Sequence, residues 1–269
     1  MSNVAEQARE RRRRWTEAGL CTVCGKVPPE IGVKCNACKA KKRAYYHKRT
    51  ASGLCRCGSP LIGDNKICPD CSLKSKFEHY QLVLDTLNHY GGVCECCGEK
   101  NSVVLTIDHI GGGGNEHARS IGRGSSLYRW LKRNYYPDGF RVLCANCNHG
   151  VARNGGTCPH VKKLEREYTN HQQAMGYKYR RKCFNECVEA YGGICVNCGE
   201  DELLFLHLDH VNGDGAEHRK IIGRKLGVWA RQNGFPDILQ LLCANCNLAK
   251  ERTGFKEWLE LTNSSSLQQ

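Results

Sequence analysis

GGVCECCGE at residues 91–99, LTIDHIGGGGNEH at 105–117 and FRVLCANCN at 140–148 decide the fold, because the chain writes all three twice. They return as GGICVNCGE at 192–200, LHLDHVNGDGAEH at 206–218 and LQLLCANCN at 239–247. Cys94 and Cys195, Cys97 and Cys198, Asp108 and Asp209, His109 and His210, and His117 and His218 are all 101 residues apart. Cys144 and Cys243, Cys147 and Cys246, and Asn148 and Asn247 are 99 apart, so the second copy is two residues shorter between Arg224 and Trp229. A repeat this faithful is a structural unit.

The 20 cysteines of this 269-residue chain fall mostly in C-x2-C pairs, and no secretory signal stands before them. That pattern favours metal over disulfides. Two cysteines so spaced can face one ion, and a second pair completes a tetrahedron. Four zinc sets result: Cys21, Cys24, Cys35 and Cys38; Cys55, Cys57, Cys68 and Cys71; Cys94, Cys97, Cys144 and Cys147; Cys195, Cys198, Cys243 and Cys246. The second set opens with C-x-C rather than C-x2-C. Cys96, Cys158, Cys183 and Cys187 are left over. Cys183 and Cys187 lie four apart on one helix face and read as small core residues.

The formal charge is +13. Each zinc held by four thiolates carries two negative charges, so four sites bring the loaded chain to about +5. The remaining basic charge is concentrated at the start: residues 1–50 hold thirteen Lys/Arg against four Glu. Nucleic acid is the natural partner for such a surface, with plain solubility the bland alternative. No stretch reaches the length of a membrane span, and ARERRRRW has no apolar run behind it, so an intracellular protein is expected.

Taken in order, residues 1–19 read as a basic helical arm stopped by Gly19. Residues 20–50 form a first zinc ribbon or knuckle and 51–75 a second, both too poor in apolar residues to fold without metal. Tyr45 and Tyr46, set among lysines and arginines, either stack on bases or pack back onto the module. Helical periodicity runs from Lys76 to Tyr90 and ends at Gly91-Gly92. VVLTIDHI and LLFLHLDHV are strand-like, as are RVL and QLL before the second cysteine pairs. Each repeat, 76–160 and 161–262, is thus a zinc-pinned β-hairpin plus helix with a long insertion across the hairpin. Residues 263–269, within TNSSSLQQ, form a disordered tail. The fold class is a set of small α+β zinc-stabilised modules.

Asp108 and the amide oxygen of Asn148 are ligands for a hard ion such as Mg2+, and neutral His109 beside them can take a proton from water. Together they would hydrolyse a phosphodiester. Neighbouring strand residues point to opposite faces, so Asp108 and His109 share one site only if the strand ends or bends there, which the following glycine-rich loop permits. Taken singly, Asn148 and Asn247 are also good helix N-caps.

On C-x2-C, Asp-His and C-x2-C-N in that order, the repeat resembles the HNH, or ββα-metal (His-Me finger), endonucleases, and among them the zinc-pinned recombination endonuclease VII-like type. The resemblance covers roughly 79–160 and 176–254. It implies two tandem ββα-metal units, with His109 and His210 as general bases. It also implies a catalytic Mg2+ or similar ion on Asp108 with Asn148 and on Asp209 with Asn247, and structural zinc on the cysteines. Many members carry an asparagine five residues before the second cysteine pair, where this chain has Gly139 and Ile238. His117 and His218 are candidates for phosphate or metal contact, as are Arg123 and Arg224 for phosphate. Cys158 and His160, in a TCPH found only after copy one, cap that copy. Copy two has Asn212 and Asp214 where copy one has Gly111 and Gly113, which makes it the stronger candidate if only one copy cuts.

The expected protein is a monomeric tandem endonuclease acting on double-stranded DNA. A non-catalytic zinc-dependent nucleic-acid-binding protein on the same scaffold is the rival, and a nuclease for RNA or branched DNA is a second.

Overall fold

The computed structural model describes residues 2–30, 34–122, 124–164, 170–223, 225–254 and 257; Arg123, Arg224 and the 263–269 tail lie outside them. The chain divides into two units, Met1–Lys76 and Phe77–Gln269. None of its described helices is long and apolar enough to cross a membrane.

In the first unit, helix α1 (Ser2–Glu17) runs to a break at Gly19, whose φ of 65° lies in the left-handed region. Trp15 lies so close to Gly25 that any side chain there would collide with the indole. Helix α2 (Asn36–Ala51) begins directly after Cys35 and buries none of its own residues. Tyr45 and Tyr46 are exposed on it rather than packed back: Arg49 Nη1 donates to Tyr45 Oη at 2.6 Å, and Lys42 Nζ lies 5.5 Å from the Tyr46 ring. Helix α3 (Pro69–His89) starts seven residues earlier than the periodicity of Lys76–Tyr90 indicates. Proline suits the first turn of a helix, where its missing N–H is no loss. That start places Cys71 in the first turn. Among the described residues of this unit, the only buried apolar side chains are Cys21, Cys35, Cys55 and Cys68.

The second unit is two hairpin–helix copies. Copy one has β1 (Leu105–His109), α4 (Gly114–Ile121), α5 (Ser125–Arg133), β2 (Phe140–Cys144) and α6 (Ala145–Arg153). Copy two is introduced by α7 (His171–Ala190), then has β3 (Leu206–His210), α8 (Gly215–Ile222), α9 (Leu226–Gln232), β4 (Leu239–Cys243) and α10 (Ala244–Glu251). Strands pair antiparallel, Leu105 opposite Cys144 and Leu206 opposite Cys243, so each hairpin delivers its second cysteine pair to the start of a helix. The two-residue deletion falls at the start of α9, which is shorter than α5. Tyr90 Oη donates to Pro137 O at 2.8 Å and Tyr191 Oη to Pro236 O at 2.8 Å, the same tether in both copies. Cys183 and Cys187 are fully buried on one face of α7, as their spacing indicates.

The helices after the cysteine pairs meet across an approximate two-fold. Asn146 N donates to Asn245 Oδ1 at 2.9 Å and Asn245 N to Asn146 Oδ1 at 2.8 Å. Arg153 Nη1 donates to Leu204 O and Leu206 O, while Arg252 Nη1 donates to Val103 O and Leu105 O. Ala145 N bonds Val104 O within copy one, and Ala244 N bonds Phe205 O within copy two. Reciprocal contacts of this kind are the signature of a self-complementary surface.

Phe205 belongs to copy two in sequence but is buried in the core of copy one, with Leu87, Leu105, Leu131 and Leu143. It fits because α6 has Gly150: a Cβ there would stand 2.6 Å from Phe205 Cε1 and 2.6 Å from Pro159 Cδ. At the 99-residue offset copy two has Ala249, and the partner of Phe205 in copy one is the smaller Val104. Gly150→Ala is therefore expected to cost about 1–3 kcal/mol through overpacking. Ala249→Gly should cost only about 1 kcal/mol, the helix-propensity difference. Denaturant midpoints of the two variants check this, and equal losses would refute it.

Candidate metal centres and paired histidines

A zinc–sulfur bond of about 2.3 Å at tetrahedral angles separates two sulfurs by about 3.8 Å, against about 2.05 Å in a disulfide. Cys24 and Cys35 Sγ are 3.8 Å apart, Cys57 and Cys68 3.4 Å, Cys97 and Cys144 3.7 Å, and Cys198 and Cys243 3.7 Å. All four sets read from the sequence have their sulfurs within 4.8 Å of one another, including the C-x-C set. The local chain explains the grouping. Cys144 and Cys243 cap their helices by accepting from the backbone N–H of Cys147 and Cys246, both at 3.4 Å. Thus Asn148 and Asn247 do not open the helices; they stand in the first turn, and a cysteine sulfur does the capping.

Burial pushes the Cys246 thiol up to about 11 and raises Cys243 above its ordinary value. Zinc must displace those protons to bind, so its hold weakens as the solution is acidified.

A fifth group went unread in the sequence: Cys96, Cys147, Cys158 and His160, again with ligand atoms within 4.8 Å. Cys158 and His160 do more than cap copy one. Sequence pairing overlooked them because they are far from Cys96 in the chain and do not form a C-x2-C. The available signal was their presence after one copy only.

The candidate hydrolytic residues stand at the end of the first strand and in the first turn of the helix after the second cysteine pair. Asp108 stands opposite Arg141 across the hairpin, and Arg141 Nε donates to Asp108 Oδ2 at 3.0 Å. Thr106, two residues back on that face, donates its hydroxyl to Leu143 O at 2.9 Å and so must accept from Asn148 Nδ2, also at 2.9 Å. This fixes the amide of Asn148 and leaves its Oδ1 without a donor among the described residues. In copy two, Thr106 is replaced by His207, and the Asn247 side chain makes no hydrogen bond among the described residues. Asp209 Oδ2 accepts from Gln240 Nε2 at 2.9 Å and Lys250 Nζ at 2.7 Å. Oxygen donors of this type suit a hard divalent ion, although each carboxylate already has a cationic partner.

His109, the last residue of β1, pairs with Phe140. The pairing stays in register to His109, where the strand ends. His109 Nε2 lies 2.8 Å from His117 Nδ1, and His210 Nε2 lies 2.7 Å from His218 Nδ1. Trp130 and Trp229 meet the second imidazole of each pair edge-on at 4.4 and 4.3 Å. Those tryptophans were missed in the sequence, though both copies carry them. Burial lowers the His109 pKa, reinforced by His117 and opposed by Asp108. Burial also lowers that of His210, with Asp214 opposing it and His218 adding to it. Each leading histidine is thus a neutral imidazole near pH 7, the form that accepts a proton.

Glycine makes room for the pairs. A Cβ on Gly114 would stand 3.1 Å from His109 Nδ1, and one on Gly215 only 2.7 Å from His210 Nδ1. Gly215→Ala is expected to shift the imidazole and break the His210–His218 bond, at about 1–3 kcal/mol. Gly114→Ala should move His109 by a few tenths of an ångström and keep its bond. Imidazole nitrogen shifts by NMR report each pair. An intact His210–His218 pair in the first variant would overturn the steric argument.

No family model matches this chain, and no curated protein or solved structure does.

Proposed function

We propose that the chain is a metal-dependent endonuclease of the HNH type, hydrolysing DNA phosphodiesters with its two hairpin–helix copies. The observation that carries the reading is the frame built twice. Asp and His close the first strand, Asn follows on the helix, and a cysteine set pins the strands together. Asp108 with Asn148, and Asp209 with Asn247, would hold a Mg2+-class ion, which supplies charge stabilisation at phosphate. His109 and His210 take a proton from the attacking water, and His117 and His218 orient them. The exposed Tyr45–Arg49 and Tyr46–Lys42 pairs on α2 offer aromatic faces and positive charge to nucleic acid.

One observation favours a second reading. Arg141 on Asp108 and Lys250 on Asp209 already neutralise both carboxylates, as they would in a scaffold that binds nucleic acid without cutting it. A cleavage assay with Mg2+ on plasmid, branched DNA and RNA separates the two. The nuclease reading expects cleavage that is lost in the His109→Ala/His210→Ala protein. Binding without cleavage of any substrate would sink it.

A further inference from the structure

We propose that Cys147 bridges two zinc ions, so that copy one carries a dinuclear centre and copy two a mononuclear one. Cys147 completes two tetrahedra at once: one with Cys94, Cys97 and Cys144, the other with Cys96, Cys158 and His160. Seven side chains sharing one vertex are what two four-coordinate ions with a single bridging thiolate need.

The distances fit an ion at the centre of the second set. With arms of about 2.3 Å to sulfur and about 2.0 Å to nitrogen, tetrahedral geometry puts sulfur about 3.5 Å from the imidazole nitrogen. His160 Nδ1 is 3.4 Å from Cys147 Sγ, 3.7 Å from Cys158 Sγ and 3.9 Å from Cys96 Sγ. Six thiolates around two zinc ions carry the same net charge, two negative, as four around one. The second ion therefore adds no buried charge. It also removes the need to leave two thiols beside a thiolate cluster.

Copy two is the internal control. The residue equivalent to Cys96 is Asn197, and its Nδ2 donates to the Sγ of Cys246, the counterpart of Cys147, at 3.2 Å. One N–H thus occupies the side of the sulfur that faces the second set in copy one. At the 99-residue offset, Cys158 and His160 correspond to Glu257 and Leu259, so no thiol or imidazole is available there.

The loop that brings the ligands is held independently of them. Buried Asn154 donates to Thr157 O at 2.9 Å and Lys162 O at 2.6 Å, and accepts from Leu164 N at 2.8 Å. Pro159 lies against Gly150, and the His160 ring meets Phe205 of copy two at 4.9 Å. The second ion thus ties the 154–164 loop to the first zinc frame. His160 is exposed and Cys96 half-buried, so this ion has a side open to solvent, as its neighbour does at exposed Cys97.

The full chain purified with zinc is expected to hold five ions by metal analysis. Cys96→Asn, which copies the residue of copy two, and His160→Ala at an exposed position should each hold four and keep the wild-type circular dichroism spectrum. After exchange with 113Cd, two of five resonances should be mutually coupled through the Cys147 sulfur. That coupling should vanish in both variants. Four ions in the wild type, or five in both variants, would overturn the proposal, as would five uncoupled cadmium resonances.

Discussion

Chelating zinc from the full chain is expected to abolish the amide dispersion of residues 20–75, while the helices and strands of Phe77–Gln269 are lost only in part. The difference follows from what each unit buries. In the first, the cysteines are the whole buried apolar set among the described residues, and α2 buries nothing. A structural zinc contributes roughly 10–16 kcal/mol of apparent binding energy at neutral pH, which exceeds the net stability of most domains. With no leucine or valine core beneath the ion, its removal leaves nothing to oppose chain entropy. The second unit has Leu87, Leu105, Leu131, Leu143, Phe205, Leu206 and Leu241 buried as well. An amide spectrum that keeps its dispersion over 20–75 after chelation would refute the metal frame.

The second large effect concerns cleavage. Replacing both His109 and His210 with alanine should lower the rate by about 10²–10⁴, the usual contribution of a general base, equivalent to about 3–5 kcal/mol of barrier. Each single variant should nick, because one copy would still act on one strand. Burial lowers both imidazoles, so they lose their protons below the ordinary value of about 6.5 and remain competent bases there. The wild-type rate should therefore rise with pH with its midpoint below about 6.5 and level off above it. His117→Asn and His218→Asn keep a polar neighbour yet remove the imidazole partner, so they should shift that rise rather than eliminate cleavage. Full double-strand cutting by His109→Ala would remove copy one from the reaction.

Much of this architecture was legible in the residues. The repeat offsets located both hairpins, the cysteine spacing grouped four ligand sets, and the spacing of Cys183 and Cys187 placed them on a buried face. What escaped was set by contacts distant in sequence. Phe205 enters the core of the other copy, and the Asn146–Asn245 exchange spans 99 residues. Neither leaves a local period to read. Cys96 looked like a leftover because two of its partners, Cys158 and His160, follow α6, and Asn148 looked like a cap because a cysteine sulfur is an uncommon one. The histidine pairs were half visible: both copies keep His117 and His218 at one spacing, but only the folded loop shows which imidazole they meet.

The exchange between Asn146 and Asn245 also bears on how the two copies could have diverged. A symmetric homodimer must use one residue for both sides of its axis, so a change that suits one side is imposed on the other. Covalent fusion removes that constraint. Gly150 can face Phe205 on one side while Ala249 and Val104 stand at the corresponding positions on the other. Cys96 can likewise join a ligand set where Asn197 only donates a hydrogen bond. The tether also makes association of the halves independent of protein concentration, so specialisation in one half need not be weighed against losing the other.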